Sequence, residues 1–155
     1  TVGKPAAILV LLLDMGKAIV TVIIARIFSD TASVQAAAGL AALVGHIWPI
    51  FAGFHGGRGT APGWGVLLIL SPLSGLIATV LGLITVALFR YVSLGSLIGS
   101  STGALSIVIL SAVGIEPTGY IWYGAIGGPL IILLHRSNIS RLLKGQERKI
   151  GQSDD

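Results

Sequence analysis

Long apolar stretches, separated by short polar turns, dominate this chain of 155 residues. Since the apolar residues run in unbroken blocks with no alternation of apolar and polar positions, the strands of a membrane barrel are not expected. Each block is long enough to cross a hydrocarbon core of roughly 30 Å as a helix. The sequence therefore predicts an all-α polytopic membrane protein. The apolar stretches lie at about 5–28, 33–52, 62–89, 92–114 and 118–135.

The charged residues are few and unevenly placed. They make up 10% of the chain, against 54% hydrophobic residues, which excludes an ordinary soluble domain. Lysine and arginine outnumber aspartate and glutamate by 10 to 6, with the excess in the tail after residue 135. This pattern is typical of a cytoplasmic tail and not of nucleic-acid binding. The absence of cysteine excludes disulfides and thiolate chemistry.

The number of membrane crossings follows from the sides on which the basic segments lie. If the basic tail and the loop that holds Arg58 are both cytoplasmic, the stretch 62–89 must begin and end on the same side. Pro72, within the turn-forming run 71–75, is the expected break, because proline removes a helical hydrogen bond. We therefore expect about six transmembrane or re-entrant helices in this chain, of which two can be incomplete spans.

A glycine-rich run, Phe-His-Gly-Gly-Arg-Gly-Thr at 54–60, interrupts the apolar pattern. Glycines allow backbone N–H groups to approach an anion closely, and the Arg58 guanidinium matches the geometry of phosphate oxygens. The same run could simply form a cytoplasmic turn between two membrane helices. Its own residues leave both interpretations open.

Charges inside the first apolar stretch need partners. Asp14 and Lys17 lie three residues apart, on one face of a helix, where each charge alone would be expensive. They are expected to neutralise each other, either as a purely structural pair or as a pair that also orders the nearby site. His46, shortly before Pro49, is expected to be a structural histidine with a satisfied ring.

Polar side chains also occur where two later helices meet the membrane boundary. Ser93 and Ser96 lie about one turn apart at the start of a helix, where they could cap it, pack closely or contact a ligand. His135 and Asn138 share a helix face with Leu142. A basic amphipathic anchor explains the arginines that follow, but it does not explain His135 and Asn138.

These runs resemble the motifs of the bacterial acyl-phosphate:glycerol-3-phosphate acyltransferases, integral membrane enzymes. The run 45–59 is similar to the second family motif, and 135–147 is similar to the third. Asp14-Met15-Gly16-Lys17 resembles the D-x-x-K of the second family span, and 90–96 resembles the serine-bearing helix start. The resemblance covers essentially the whole chain.

The chain also departs from the family pattern. The first motif, an S-G-N loop ending in arginine, would precede Thr1 together with the first span, so seven helices are expected with that segment. We therefore expect 1–155 to be a single integral membrane acyltransferase domain that lacks the first span and motif. His55 and Arg58 stand where the second motif has lysines. Arg58 keeps a permanent charge, whereas His55 is charged only below about pH 6.5.

The resemblance implies transfer of a fatty acyl group from acyl phosphate to the sn-1 hydroxyl of glycerol 3-phosphate, giving lysophosphatidate and phosphate. It implies a multi-pass protein of the bacterial inner membrane with its active site and C-terminus on the cytoplasmic side. Membrane lipids are expected partners, and no metal, cofactor or nucleic acid is expected. Glu147 is expected to order the tail. The expected catalytic residues are Arg58, His135 and Asn138, and the expected substrate-binding residues are His55, Gly56, Gly57, Gly59, Ser93 and Ser96.

Two alternative functions remain open at this point. A small transporter or channel subunit would use Asp14 and Lys17 as a polar pathway and the break near Pro72 as a re-entrant gate, although no inverted repeat supports it. A catalytically inactive relative of the acyltransferases is the other alternative, because the first motif is not seen and both motif lysines are replaced.

Overall fold

The computed structural model describes residues 3–152, and within this range it is entirely helical, with seven α-helices and two short 3-10 turns. The expected fragment boundary at Thr1 lies outside the described residues. The helices are α1 Lys4–Phe28, α2 Ala32–Ile47, α3 Thr60–Leu70, α4 Pro72–Phe89, α5 Val92–Ala112, α6 Ile121–Leu134 and α7 Arg136–Leu143. The 3-10 turns are Ile50–Ala52 and Thr118–Tyr120.

The membrane architecture agrees with the sequence prediction. By length and composition, four of the described helical segments can cross a membrane. Two shorter apolar segments, Thr60–Leu70 and Thr118–Leu134, bring the number of apolar helices to six, as expected. The short, amphipathic α7 follows them. The segments long enough to span are Pro5–Phe28, Ala32–Ala52, Pro72–Phe89 and Val92–Ala112.

The predicted break in the third apolar stretch is confirmed at Ser71. This residue ends α3 and caps α4, because its hydroxyl accepts a hydrogen bond from the Ser74 backbone N–H at 3.3 Å. Pro72 occupies the first turn of α4, where its missing N–H costs nothing. The two helices therefore form a hairpin, and α3 is only 11 residues long.

Small residues allow the helices to pack closely, as is usual in a membrane where apolar burial between helices contributes little. A Cβ atom at Gly99 of α5 would come within 2.9 Å of the Ala78 carbonyl oxygen of α4. Large apolar side chains instead point outward, where the bilayer solvates them. Examples are Leu13, Leu83, Leu105 and Trp122, which are all about 60% exposed.

A polar cluster that the sequence analysis missed ties the helices together at the Ser71 end of the bundle. Arg26 of α1 donates to the Ile69 carbonyl oxygen near the end of α3 at 2.6 Å and to Gln35 at 3.2 Å. The Tyr120 hydroxyl also donates to Gln35, at 2.7 Å. Arg26 thereby satisfies a carbonyl in the last turn of the short helix. The opposite end of α3, at Thr60, lies at the other end of the bundle.

A candidate active site between the glycine loop and the last helix

His135 lies at the junction of α6 and α7 and is buried, with 3% of its surface exposed. Its ring Nδ1 lies 2.8 Å from the Ile131 carbonyl oxygen. Because a carbonyl can only accept, Nδ1 carries the proton, and the Nε2 lone pair of the neutral ring is available to another group. Burial lowers the pKa of His135, and the positive charge of Arg58 lowers it further, against the raising effects of the Ile131 bond and Glu147. The ring is therefore neutral near physiological pH.

Glu147 joins the tail to α7 through both of its carboxylate oxygens. Asn138 Nδ2 donates to Oε1 at 2.7 Å, and Arg141 Nε donates to Oε2 at 2.6 Å. The Glu147 side chain is only 10% exposed. Burial by itself raises the pKa of Glu147, but the nearby Ser93 hydroxyl and the hydrogen bonds from Asn138 and Arg141 outweigh it and leave the pKa below its usual range. Glu147 is therefore an ionised hub with a largely enclosed side chain.

The tail around Glu147 is held against the start of α5. The Ile150 backbone N–H donates to the Arg90 carbonyl oxygen at 2.8 Å, and Arg90 Nη2 donates back to the Ile150 carbonyl oxygen at 2.6 Å. The Lys149 ammonium lies 5.4 Å from the centroid of the Tyr91 ring, which is a cation–π contact. These contacts agree with the expectation that Glu147 orders the tail.

Two buried oxygens in this region lack a hydrogen-bond partner. They are Ser93 Oγ and Asn138 Oδ1, on residues that are 8% and 3% exposed. The Ser93 hydroxyl is close enough to Glu147 to lower its pKa, yet it makes no bond of regular geometry. Buried polar atoms in proteins are nearly always paired, so the unpaired Oδ1 of Asn138, one turn after His135, points to a ligand. Ser111 Oγ, also unpaired, lies near the far end of α5.

The glycine loop packs tightly against the end of α2. The Gly56 N–H donates to the Ile47 carbonyl oxygen at 3.1 Å, and the Gly57 N–H donates to the His46 carbonyl oxygen at 3.3 Å. A Cβ atom at Gly57 would overlap the His46 ring. These two amides are therefore occupied, which corrects the expectation that they face a phosphate. The glycines instead let the loop lie directly on α2.

The anion-attracting part of the loop is the start of α3. Gly59 adopts a left-handed conformation with φ +83° and precedes Thr60, the first residue of the helix. The first N–H groups of a helix lack intrahelical acceptors and carry a partial positive charge. Arg58 adds a full charge immediately before them and acts electrostatically on His135, so the loop and α7 face one site. His55 is exposed, and its Nδ1 lies 2.6 Å from the Gly53 carbonyl oxygen.

Behind the glycine loop, the intramembrane charges form a triad with His46. Lys17 Nζ donates to Asp14 Oδ1 at 2.7 Å and to His46 Nδ1 at 2.9 Å. Because an ammonium only donates, His46 Nδ1 accepts this bond. The His46 ring in turn supports Gly57. The arrangement favours the interpretation in which Asp14 and Lys17 also order the nearby site.

An apolar cavity of about 300 Å³ begins at the same place. Thr60 and Ala61, the first residues of α3, line it, as does Ser96 of α5. Two further lining residues, Leu83 and Val92, are strongly exposed, so the cavity opens sideways towards lipid. Ser93 therefore belongs to the polar cluster around Glu147, whereas Ser96 belongs to the cavity. No group of three or more possible metal ligands occurs among residues 3–152.

Comparison with known proteins gives consistent matches. Residues 1–145 match the model of a family described as glycerol-3-phosphate acyltransferase. The glycerol-3-phosphate acyltransferase of Halalkalibacterium halodurans is 41% identical over 155 residues, which is 99% of this chain and 75% of the relative. That of Neisseria meningitidis serogroup C / serotype 2a is 40% identical over 153 residues, covering 96% and 74% of the two chains.

Two solved structures share the fold. Both are of PlsY, described as an integral membrane glycerol 3-phosphate acyltransferase, one in a glycerol 3-phosphate form and one in a lysophosphatidic acid form. Each superposes with a TM-score of 0.87 at 35% sequence identity and covers 97% of this chain. The matched part is 74% of the first PlsY chain and 76% of the second.

Replacing Glu147 by glutamine tests the ionised hub. Because its folded-state pKa lies below the ordinary value of 4.5, ionised Glu147 stabilises the fold above that pH, and this contribution is lost as the pH falls through the lowered pKa. We expect Glu147→Gln to lower the free energy of unfolding by about 2 kcal/mol at neutral pH. The difference from wild type should shrink in acid. Unfolding of both proteins in detergent, followed across pH, measures it.

The matched control is Glu116→Gln, which removes a carboxyl at the opposite end of the bundle and should not reproduce this convergence. A Glu147→Gln difference that stays constant from neutral to acid pH would contradict an ionised hub.

Proposed function

Because the chain belongs to the glycerol-3-phosphate acyltransferase family, we propose that this membrane enzyme takes its acyl group from an acyl phosphate. The acceptor is the sn-1 hydroxyl of glycerol 3-phosphate, and the products are lysophosphatidate and inorganic phosphate. The observation that carries this proposal is the meeting of two unlike sites at Thr60 and Ala61. An anion-attracting helix start and an apolar cavity share these residues, which suits a ligand with a phosphate head and a fatty tail.

In this proposal glycerol 3-phosphate lies between the glycine loop and α7. The Nε2 lone pair of His135 accepts a hydrogen bond from a glycerol hydroxyl, and the unpaired Oδ1 of Asn138 accepts another. Arg58, immediately before Gly59 and α3, binds the phosphate of the acyl donor at the edge of this site with its planar fork of donors. The Ser93 hydroxyl, which also lacks a regular partner, completes the polar wall.

The acyl phosphate occupies the cavity, with its tail reaching it sideways from the bilayer. Its phosphate lies at the first N–H groups of α3, next to Gly59, and Ser96 contacts the carbonyl end of the chain. Gly56 and Gly57 contribute by bringing the loop onto α2. His55, exposed at the edge of the loop, makes the weaker contribution because its ring Nδ1 is already engaged with the Gly53 carbonyl oxygen.

The chemistry needs little activation by the protein. The glycerol hydroxyl oxygen attacks the acyl carbonyl, the bond from that carbon to the phosphate oxygen breaks, and the hydroxyl proton goes to the departing phosphate. Arg58 and the α3 N-terminus stabilise the charge that develops on this leaving group. Positioning and charge stabilisation of this kind lower a barrier by several kcal/mol in a dry site.

The residues of the proposed site all lie towards one side of the membrane. Arg58, His135 and the basic tail lie at the same end of the bundle, and basic segments favour the cytoplasm. We infer a single acyltransferase domain over 1–155 in the bacterial inner membrane, with its active site and C-terminus cytoplasmic. Membrane lipids surround it and deliver the acyl donor, while glycerol 3-phosphate arrives from the water side. Family membership decides against the transporter or channel alternative.

The donor is tested with the full chain in lipid vesicles supplied with palmitoyl phosphate and labelled glycerol 3-phosphate. We expect lysophosphatidate and inorganic phosphate in equal amounts, and no product when acyl-coenzyme A replaces the acyl phosphate. Mass spectrometry of the lipid fraction and a phosphate assay measure both products. Folded protein that forms no lysophosphatidate would support the inactive-relative alternative.

Single replacements test the two binding groups. We expect Arg58→Ala and Asn138→Ala each to lower kcat/KM by roughly 100-fold or more, because each removes a group that contacts reacting or charged atoms. Arg58→Lys should keep part of the activity, since it retains charge but loses the planar fork. Arg136→Ala, which removes an exposed arginine next to His135, is the control. Near-normal turnover in a folded Arg58 or Asn138 variant removes that residue from the site.

The neutral state of His135 predicts a pH dependence. Protonation of Nε2 removes an acceptor, so kcat/KM for glycerol 3-phosphate should fall as the pH drops through the lowered His135 pKa, below its ordinary 6.5. Glycerol 3-phosphate itself titrates near about pH 6. The pH profile of kcat/KM for wild type is therefore divided by the profile for His135→Gln, which has no imidazole at this position. The division cancels the titration of the substrate and leaves the effect of His135 as an acid limb. His55→Gln should retain the limb, and a quotient independent of pH would contradict the assignment.

A further inference from the structure

Trp64 stands in the wall of the apolar cavity and is held in one orientation. Its indole Nε1 donates to Thr79 Oγ1 at 2.7 Å, across the α3–α4 hairpin. The Thr79 hydroxyl in turn donates to the Gly75 carbonyl oxygen at 2.7 Å. Turning the ring aside would leave a polar N–H unpaired in an apolar environment. The indole is therefore a rigid wall and not an adaptable one.

Other parts of the cavity wall are formed by backbone atoms, which cannot move aside by changing a side-chain rotamer. Gly82, Gly95 and Gly99 line the cavity where α4 and α5 meet. A Cβ atom at Gly95 would come within 2.8 Å of the Gly82 carbonyl oxygen, which shows that the two backbones are already in contact. An acyl chain bound in this cavity thus contacts the immobile Trp64 indole on one part of the wall and the helix backbone on another.

The position of Trp64 along the cavity decides which part of a bound chain it meets. It follows Thr60 by four residues, which is about 6 Å along the helix axis. Trp64 therefore lies beside the first carbons of a chain whose head is at Thr60, and the cavity continues beyond it to Leu67 of α3 and Ala104 of α5.

We propose that Trp64, held by Thr79, is a specificity-determining residue that rejects acyl donors with extra bulk near the carbonyl. A straight chain passes the indole, whereas a methyl branch on the β-carbon meets it. Branching at the far end of the chain is accepted, because that end lies beyond the indole, towards Leu67 and Ala104. This inference rests on the proposed acyl phosphate donor.

The test compares kcat/KM for palmitoyl phosphate, its β-methyl analogue and a chain branched at its methyl end, using the full protein in vesicles. We expect wild type to prefer palmitoyl phosphate over the β-methyl donor by about tenfold or more, since one added carbon in a close-fitting pocket has this effect. Thr79→Val, nearly isosteric but unable to accept from the indole, should reduce that preference several-fold. Trp64→Ala should reduce it further.

The donor ratio is independent of how much protein folds, so it separates selectivity from stability. The KM for glycerol 3-phosphate and the ratio for the end-branched donor should stay unchanged. Matched controls are Trp122→Ala, which removes a lipid-exposed indole, and Thr102→Val, whose hydroxyl bonds within its own helix. Both should keep the wild-type ratio.

Three outcomes overturn the inference: equal use of both donors by wild type, an unchanged ratio in both cavity variants, or the same change in the controls. A wild-type protein that makes no lysophosphatidate from palmitoyl phosphate overturns the proposed donor instead, which is a distinguishable result.

Discussion

In hydrocarbon, every backbone N–H and carbonyl group must find a hydrogen-bond partner within the protein. Helix ends are the critical positions, because the backbone groups there lack intrahelical partners. The short helix α3 shows the consequence. Arg26 donates to the Ile69 carbonyl oxygen near its buried end, and Ser71 starts the return helix without a gap. The other end, at Thr60, has no side-chain cap, which leaves it available to the anion of the proposed substrate. The same helix thus helps to close one end of the bundle and directs its uncapped end towards the proposed site.

A second consequence is that the charged side chains in these regions form hydrogen-bonded networks rather than single pairs. Lys17 is shared by Asp14 and His46, which supports the glycine loop. At the membrane boundary Glu147 holds Asn138 while the tail is bound to the start of α5. In a low-dielectric environment such networks are strong when complete and costly when broken. Loop, tail and α7 are therefore held in place before substrate arrives, which favours catalysis by positioning.

Several features could be predicted from sequence because their signals are local. Pro72 and the expected cytoplasmic location of the basic segments predicted the α3–α4 hairpin. Helical spacing predicted that His135 and Asn138 share a helix face, and both are buried. Other features had no local signal. The cluster of Arg26 with Gln35 joins residues from different helices, as does the bond between Trp64 and Thr79. The amides of the glycine loop are another example. Only the packing of the loop against α2 shows that two of these N–H groups already donate to carbonyl oxygens of that helix.

The sequence by itself determined the class of protein, the number of apolar helices, the break at Ser71 and the residue types of the site. It could do so because hydropathy, proline and helical spacing act within one segment. Tertiary structure alone decided that the Gly56 and Gly57 amides are occupied, that Glu147 is ionised with a largely enclosed side chain, and that an apolar cavity begins at Thr60. These properties depend on which helices face each other, and contacts between distant segments leave no mark on the local pattern that encodes each helix.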